Sequence, residues 1–326
     1  MPTLQRSAPK IPASRNDIAA PPATRHAHSR LRRHGVPGRV PFAIAAALAA
    51  AAASAEAPPR YDHVVIVVME NHSFSQIIGA ASAPYINALA AQGANFTHSF
   101  AIDHPSQPNY IELFSGANQG VTNDNCPENF TGVANLGSQL IAAGFTFAGY
   151  SENLRSTGST ACSAASGRYA RKHNPWADFD NVPTTSNQPF SAFPSDFSTL
   201  PTLSFVIPNQ CDDMHGISAI CNSNLIAAGD FWLQIHLDAY AQWAKAHDSL
   251  LIVTFDEDDG SQGNQIATLF VGSLVLPGNY ADTINHYSVL ATLQSMYGLA
   301  PPLAGAANNA SISNVWDVRL FRAGFE

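Results

Sequence analysis

Two apolar runs dominate the hydrophobic pattern of the chain: HVVIVVM over His63–Met69 and SLLIVTF over Ser249–Phe255. Both are continuous rather than alternating, the pattern of strands covered on both faces in a mostly parallel sheet. Less pure strand patterns occur at 145–150, Leu203–Ile207 and 267–271, and between them lie helical patterns at Pro84–Gln92, 110–114, 136–143, 230–246 and 286–297. Alternating strands and helices predict an α/β fold, a three-layer α/β/α sandwich around a mostly parallel central sheet. The pattern 230–246, with Trp232, Leu233, Ile235, Leu237, Tyr240 and Trp243, reads as core packing. Residues 151–200 are rich in Ser, Pro, Asn and Thr and read as a long excursion over one edge of the sheet.

The N-terminal region follows another pattern. A basic stretch ending at Arg39 precedes PFAIAAALAAAAASAEA, which closes on Ala55-Glu56-Ala57. A positive flank, a short apolar core and a small-x-small end predict a signal peptide over residues 1–57, with a long basic leading region. The apolar run, about 14 residues, is short for a membrane span, which needs about 20. The expected product is a secreted or periplasmic protein with no stable membrane span, in which 58–326 form one catalytic domain.

Composition supports a globular body: 46% of the 326 residues are hydrophobic and 12% are charged, which excludes disorder and coiled coil. Eight of the 16 Lys and Arg lie in the first 39 residues, so 58–326 carry 22 acids against 8 bases, a formal charge of −14. Such a body repels nucleic acid, and it binds an anion only by placing a cation or local dipoles inside the pocket. Export gives meaning to Cys126, Cys162, Cys211 and Cys221. Even in number and without C-x-x-C spacing, they predict two disulfides rather than a zinc site. Of three pairings, Cys211–Cys221, a local loop closure, is favoured together with Cys126–Cys162.

The candidate chemistry lies where the strong strands end. The first runs into Glu70-Asn71-His72-Ser73 and the late one into Asp256-Glu257-Asp258-Asp259. Ligand sites in open α/β sheets form beyond the carboxyl ends of strands. If the two strands are neighbours, Glu70, Asn71, Asp256 and Glu257 converge as hard oxygen ligands, because packed carboxylates need a cation. Each half alone also reads as an ordinary turn or a solvated acidic loop. A third feature, His104-Pro105-Ser106-Gln107-Pro108-Asn109-Tyr110, puts Ser106 at or near a helix N-terminus. There it is either an N-cap or a nucleophile beside amides that favour an anion. No G-x-S-x-G, G-x-x-x-x-G-K-[ST] or G-x-G-x-x-G motif occurs, which argues against an α/β-hydrolase, a nucleotide kinase and a nicotinamide dehydrogenase.

These motifs in order, V-V-M-E-N-H-S-F, H-P-S-Q-P-N-Y, P-N-Q-C-D-D-M-H-G with G-D-F-W-L, T-F-D-E and N-H-Y-S-V-L-A-T-L, resemble the phosphoesterase family of acid phosphatases and bacterial-type phospholipases C, within the alkaline-phosphatase-like superfamily. The resemblance spans about residues 61–299. It implies one divalent cation, Ca²⁺, Mg²⁺, Mn²⁺ or Zn²⁺, on Glu70, Asn71, Asp256 and Glu257, touched by the nucleophile Ser106. It implies that His104, Asn109 and Asp213 contact substrate, and that His286 or His215 protonates the leaving alcohol; Asp212 also fits the substrate set. Asp258 and Asp259 stand where related sequences often carry glycines, and either recruit a second cation or face water. His63, His72, His98, His173, His236 and His247 read as surface or core histidines.

The expected activity is that of an acid phosphatase acting on phosphomonoesters through a phosphoserine, since the chain ends soon after Leu299 without the extra modules of larger phospholipases C. The rivals are a phospholipase C-type phosphodiesterase and a non-catalytic secreted module that binds metal or glycan.

Overall fold

The structure is a computed structural model and describes residues 57–317; the expected signal peptide lies, up to Glu56, outside the described residues. The strands are β1 (His63–Met69), β2 (Ala94–Phe100), β3 (Phe147–Ser151), β4 (Ser163–Ala164), β5 (Tyr169–Ala170), β6 (Asn187–Pro189), β7 (Leu203–Ile207), β8 (Ser249–Phe255), β9 (Gln265–Gly272), β10 (Gly278–Tyr280) and β11 (Ile284–Asn285). The helices are α1 (Phe74–Ile77), α2 (Pro84–Gln92), α3 (Ser106–Ser115), α4 (Leu136–Ala142), α5 (Leu225–Ala244) and α6 (His286–Met296).

One sheet runs β10-β2-β9-β8-β1-β7-β3-β6, with β11 extending along β2, and β9 is antiparallel to both its neighbours. β1 lies at its centre, parallel to β7 and β8. Its side chains divide the core. Val64, Ile66 and Val68 pack with α3, α4 and α6 on one face, and Val65, Val67 and Met69 pack with α2 and α5 on the other. A strand covered on both faces cannot show polar alternation, which is why β1 and β8 read as unbroken apolar runs. The three-layer α/β sandwich is therefore the observed architecture.

Several boundaries differ from the sequence expectation. The pattern at 230–246 belongs to the longer helix α5, whose start is set by Asn224 accepting from the Ala227 N–H. β2 escapes the apolar pattern because Asn95, Thr97, His98 and Ser99 break it; Asn95 and Ser99 are nevertheless buried, bonded to Asn279 and Thr268. The excursion over 151–200 contributes the edge strand β6 and six short 3₁₀ turns, two of which frame the segment 171–178. Both favoured disulfides, Cys126–Cys162 and Cys211–Cys221, are formed.

The layer holding α2 is fixed by a long-range cap. α2 begins with Pro84, and the buried Asp230 of α5 accepts from the Tyr85 and Ile86 N–H groups at 3.0 and 2.8 Å. Asp230→Ala leaves both donors without an acceptor, so a loss of about 1–3 kcal/mol is expected in urea unfolding. An unchanged midpoint would remove Asp230 from this role.

Candidate active site

Met69 stands opposite Phe255 in the parallel register of β1 and β8, so Glu70 and Asp256 leave the same edge of the sheet side by side. The Asp256 N–H donates to the Met69 carbonyl at 2.9 Å, and the Asn71 N–H donates to Asp256 Oδ1 at 3.1 Å. Asn71 has φ 57°, a left-handed conformation that asparagine tolerates, and its side-chain amide donates to Glu70 Oε2 at 3.2 Å. The segment after β7 joins them: the Asp213 carbonyl accepts from the Glu70 N–H at 2.8 Å, and Asp213 Oδ1 accepts from the His215 N–H at 2.7 Å. The Cys211–Cys221 disulfide closes the loop that carries Asp213 and His215.

Ser106 is the first residue of α3, and Pro105 takes the N-cap place with no side-chain cap bond. The N-cap reading of Ser106 is thereby corrected. Its buried Oγ donates instead to Glu70 Oε2 at 3.1 Å and Glu257 Oε1 at 3.2 Å, joining the helix start to both acidic strand ends. His104 lies at the mouth, its side chain 46% exposed, with Nδ1 2.5 Å from Glu257 Oε2 and Nε2 3.3 Å from Asp258 Oδ1. The Tyr110 hydroxyl, one turn along α3, donates to Glu70 Oε1.

Two of the expected site residues, Asn109 and His286, bond to the backbone. Asn109 Oδ1 accepts from the Ile102 and Asp103 N–H groups at 3.0 and 2.9 Å, while Nδ2 donates to the Asp103 and Pro105 carbonyls, so its amide shapes the turn before Ser106. His286 is buried with Nε2 2.7 Å from the Asp256 carbonyl; burial lowers its imidazole to about 4, so the ring is neutral and holds the Asp256 backbone. Both side chains thus meet backbone groups of the segments that carry Ser106 and Asp256.

Two residues missed in the sequence complete the cluster. His173 is buried against Glu70, Nε2 lying 3.1 Å from Oε1 without the alignment of a hydrogen bond, and its ring stacks on Tyr110. Its Nδ1 lies 3.5 Å from Asp213 Oδ2. Lys172 places Nζ 2.7 Å from Asp124 Oδ2 and 3.3 Å from His215 Nε2. It brings a side-chain cation up to the acidic cluster. Neighbouring Arg171 turns the other way, into a buried pair with Asp178.

Burial, with Asp213 nearby, pushes the Glu70 carboxyl up to about 8. Burial also raises Asp256 well above its ordinary value, reinforced by Glu70 and Glu257, and raises Asp213, reinforced by Asp256. Glu257 is raised by burial against the pull of His104. Burial alone would lower the Lys172 ammonium, yet Glu70 and Asp124 carry it above its ordinary value, while burial lowers His173 and His215. Carboxyls shifted together in this way cluster at functional sites.

A family model described as the Phosphoesterase family matches residues 80–300. The chain belongs to the phosphoesterase family. This phosphoesterase is 55% identical over 263 residues to a phosphatidylinositol-3-phosphatase of Mycobacterium tuberculosis, covering 80% of this chain and 84% of that protein. It is 30% identical to a phosphate-repressible acid phosphatase of Penicillium chrysogenum over 73% of this chain, spanning 60% of the fungal protein. A solved structure of an alkaline phosphatase superfamily protein from Vibrio parahaemolyticus superposes with a TM-score of 0.55 at 14% identity, covering 78% of this chain and 71% of that one, a likeness of fold. The chain is thus an enzyme of phosphoric-ester hydrolysis, and the phosphatase names of its relatives fit the preference for monoesters.

The donor set of this phosphoesterase fits a divalent cation. Glu70, Asp213, Asp256 and Glu257 are buried within one cluster, and Asp256 Oδ2 is a buried carboxylate oxygen with no hydrogen-bond partner. Such oxygens are stable when a cation offsets them. Glu70, His173 and His215 form a second candidate group, with one ligand atom from each within 4.8 Å of the others. Asp258 and Asp259 belong to neither: Asp258 accepts from the Gly260, Gln262 and Asn264 N–H groups, and Asp259 from Ser73, Gln76 and Ser261. Asp258 thus shapes its own loop, and Asp259 ties that loop to the start of α1.

Proposed function

We propose that this chain is an exported, metal-dependent phosphomonoesterase that works through a phosphoserine at Ser106. The observation that carries the reading is the Ser106 hydroxyl at the first residue of α3, within hydrogen-bond reach of Glu70 and Glu257. Export rests on the leader expected over 1–57 and agrees with the two disulfides, and residues 58–326 act as one catalytic domain. The name of the mycobacterial relative favours a phosphorylated inositol headgroup as substrate.

A divalent cation would be held by Glu70, Asn71, Asp256 and Glu257 beside Ser106, and when bound it would lower the hydroxyl pKa and offset negative charge on the phosphoryl oxygens. The chain's own residues do the rest. Ser106 Oγ attacks phosphorus in line as the alcohol departs. Its proton passes to Glu257, whose other oxygen meets His104 at the solvent-facing mouth. Lys172 and the amides at the start of α3 draw in the phosphoryl oxygens. His215 Nε2 accepts from Lys172 Nζ at 3.3 Å and holds the ammonium in place, so Lys172 stays charged; the departing alkoxide takes its proton from solvent water, and the serine proton leaves Glu257 for solvent at the mouth. Water then cleaves the phosphoserine and restores Ser106.

A second reading places the cation on Glu70, His173 and His215, favoured by their proximity and suited to zinc. Metal content of Asp256→Asn against His173→Ala separates the two: the first reading expects loss only in Asp256→Asn. The activity itself is tested by phosphate release from p-nitrophenyl phosphate and bis-p-nitrophenyl phosphate, with metal-stripped and metal-replenished protein. Metal-dependent hydrolysis favouring the monoester is expected. Preference for the diester would point to a phospholipase C-type enzyme, and metal retention without turnover of either to a binding module.

A further inference from the structure

The groups best suited to hold a phosphate beside Ser106 are already engaged by a carboxylate of the chain itself. Asp124 lies between α3 and α4. Its Oδ1 accepts from the Gln107 N–H at 3.0 Å, one residue after Ser106, and its Oδ2 accepts from Lys172 Nζ at 2.7 Å. One short carboxylate therefore spans a helix-start amide and the site's cation, two donors that attract an anion. The Asp124 side chain is 32% exposed whereas Lys172 is 13% exposed, so the acid sits on the solvent side of the lysine.

We propose that Asp124 is an internal stand-in for the substrate's phosphate, which an incoming phosphate group must displace from Lys172 and the α3 amide. The proposal rests on the phosphoesterase reading of the same site and adds to it a residue that sets affinity. In a body of formal charge −14, a fixed negative charge at the cation weakens binding of every anion, and a dianion more than a monoanion. Asp124 thus speeds release of inorganic phosphate at a cost in affinity for monoesters. Displacement leaves the backbone in place, because the segment has anchors besides this carboxylate. With its amide oriented to donate, the Gln107 side chain reaches the Asn123 and Asn125 carbonyls at 3.2 and 2.7 Å, and Cys126 is tied to Cys162.

The test is calorimetric titration of metal-replete wild-type, Asp124→Ala and Asp124→Asn proteins with inorganic phosphate, repeated with phenyl phosphate and diphenyl phosphate on a Ser106→Ala background. Removal of the carboxylate is expected to tighten phosphate and phenyl phosphate by about tenfold, ~1.4 kcal/mol, and diphenyl phosphate by less. Asp124→Asn, the nearest isostere, guards against a folding defect in Asp124→Ala and should shift affinity in the same direction. Unchanged affinity would overturn the proposal. Weaker phosphate binding would also overturn it, since Asp124 would then serve to hold Lys172 in place. Wild-type protein that hydrolyses esters while both variants bind phosphate as it does defeats this inference alone; wild-type protein that neither binds phosphate nor hydrolyses esters defeats the phosphoesterase site and this inference with it.

Discussion

Ser106→Ala is expected to lower turnover of phosphomonoesters by at least about a thousandfold, with the folded state intact. The expectation follows from where the hydroxyl points. It makes no cap bond to α3, whose N-cap place is held by Pro105, so its loss leaves the helix start unchanged. What it does make are two bonds to acidic groups that follow the neighbouring strands β1 and β8, Glu70 and Glu257. Alanine removes the only oxygen that position offers for attack on phosphorus. Saturation kinetics with p-nitrophenyl phosphate and a thermal melt separate the two effects. Turnover within tenfold of wild type, with an unchanged melt, would remove Ser106 from the nucleophile role.

The second large effect concerns Glu70, which lies in both candidate donor sets. Glu70→Gln should lose the bound cation in elemental analysis and lower turnover by orders of magnitude, while the metal-stripped variant unfolds later than metal-stripped wild type near pH 8. The sign follows from proton linkage. Burial raises the folded Glu70 carboxyl to about 8 from an ordinary 4.5, so the metal-free fold holds a proton that the unfolded chain releases. Its contribution to stability is fully present below the unfolded value and is lost as pH rises through about 8. Metal-stripped wild type should therefore lose stability across that window, and added cation should restore it. Cation binding should release protons, most below pH 8, measurable by calorimetry in buffers of different ionisation enthalpy. A metal-free protein whose stability is flat from pH 5 to 8 would contradict the buried-carboxyl account.

Much of this arrangement is legible in the sequence because burial on both faces writes itself plainly. The unbroken runs of β1 and β8 announce central strands, and the acids that follow mark the sheet edge where the site lies. The Ser106 motif is ambiguous in sequence, since a serine before an amphipathic run serves equally as cap or nucleophile; the structure shows no cap bond and sets Oγ against Glu70 and Glu257. Lys172 and His173 were hidden for another reason. They sit in 3₁₀ turns of the excursion at 151–200, where no period marks burial. The usable signal was electrostatic. A body this acidic binds an anion through a cation or local dipoles in the pocket, and Arg171-Lys172-His173 is the run of adjacent basic residues within 58–326. The backbone partners of Asn109 and His286 were not legible, because motif position says nothing of which main-chain groups an amide or imidazole meets.

The most direct measurement is rapid acid quench of the metal-replete enzyme with a ³²P-labelled monoester, followed by peptide mapping of the trapped label. The account predicts an acid-stable phosphoryl group on Ser106, in the peptide that contains His104-Pro105-Ser106. Label on another residue, or burst-free turnover with no labelled protein in both wild type and variants slowed in the second step, would contradict it.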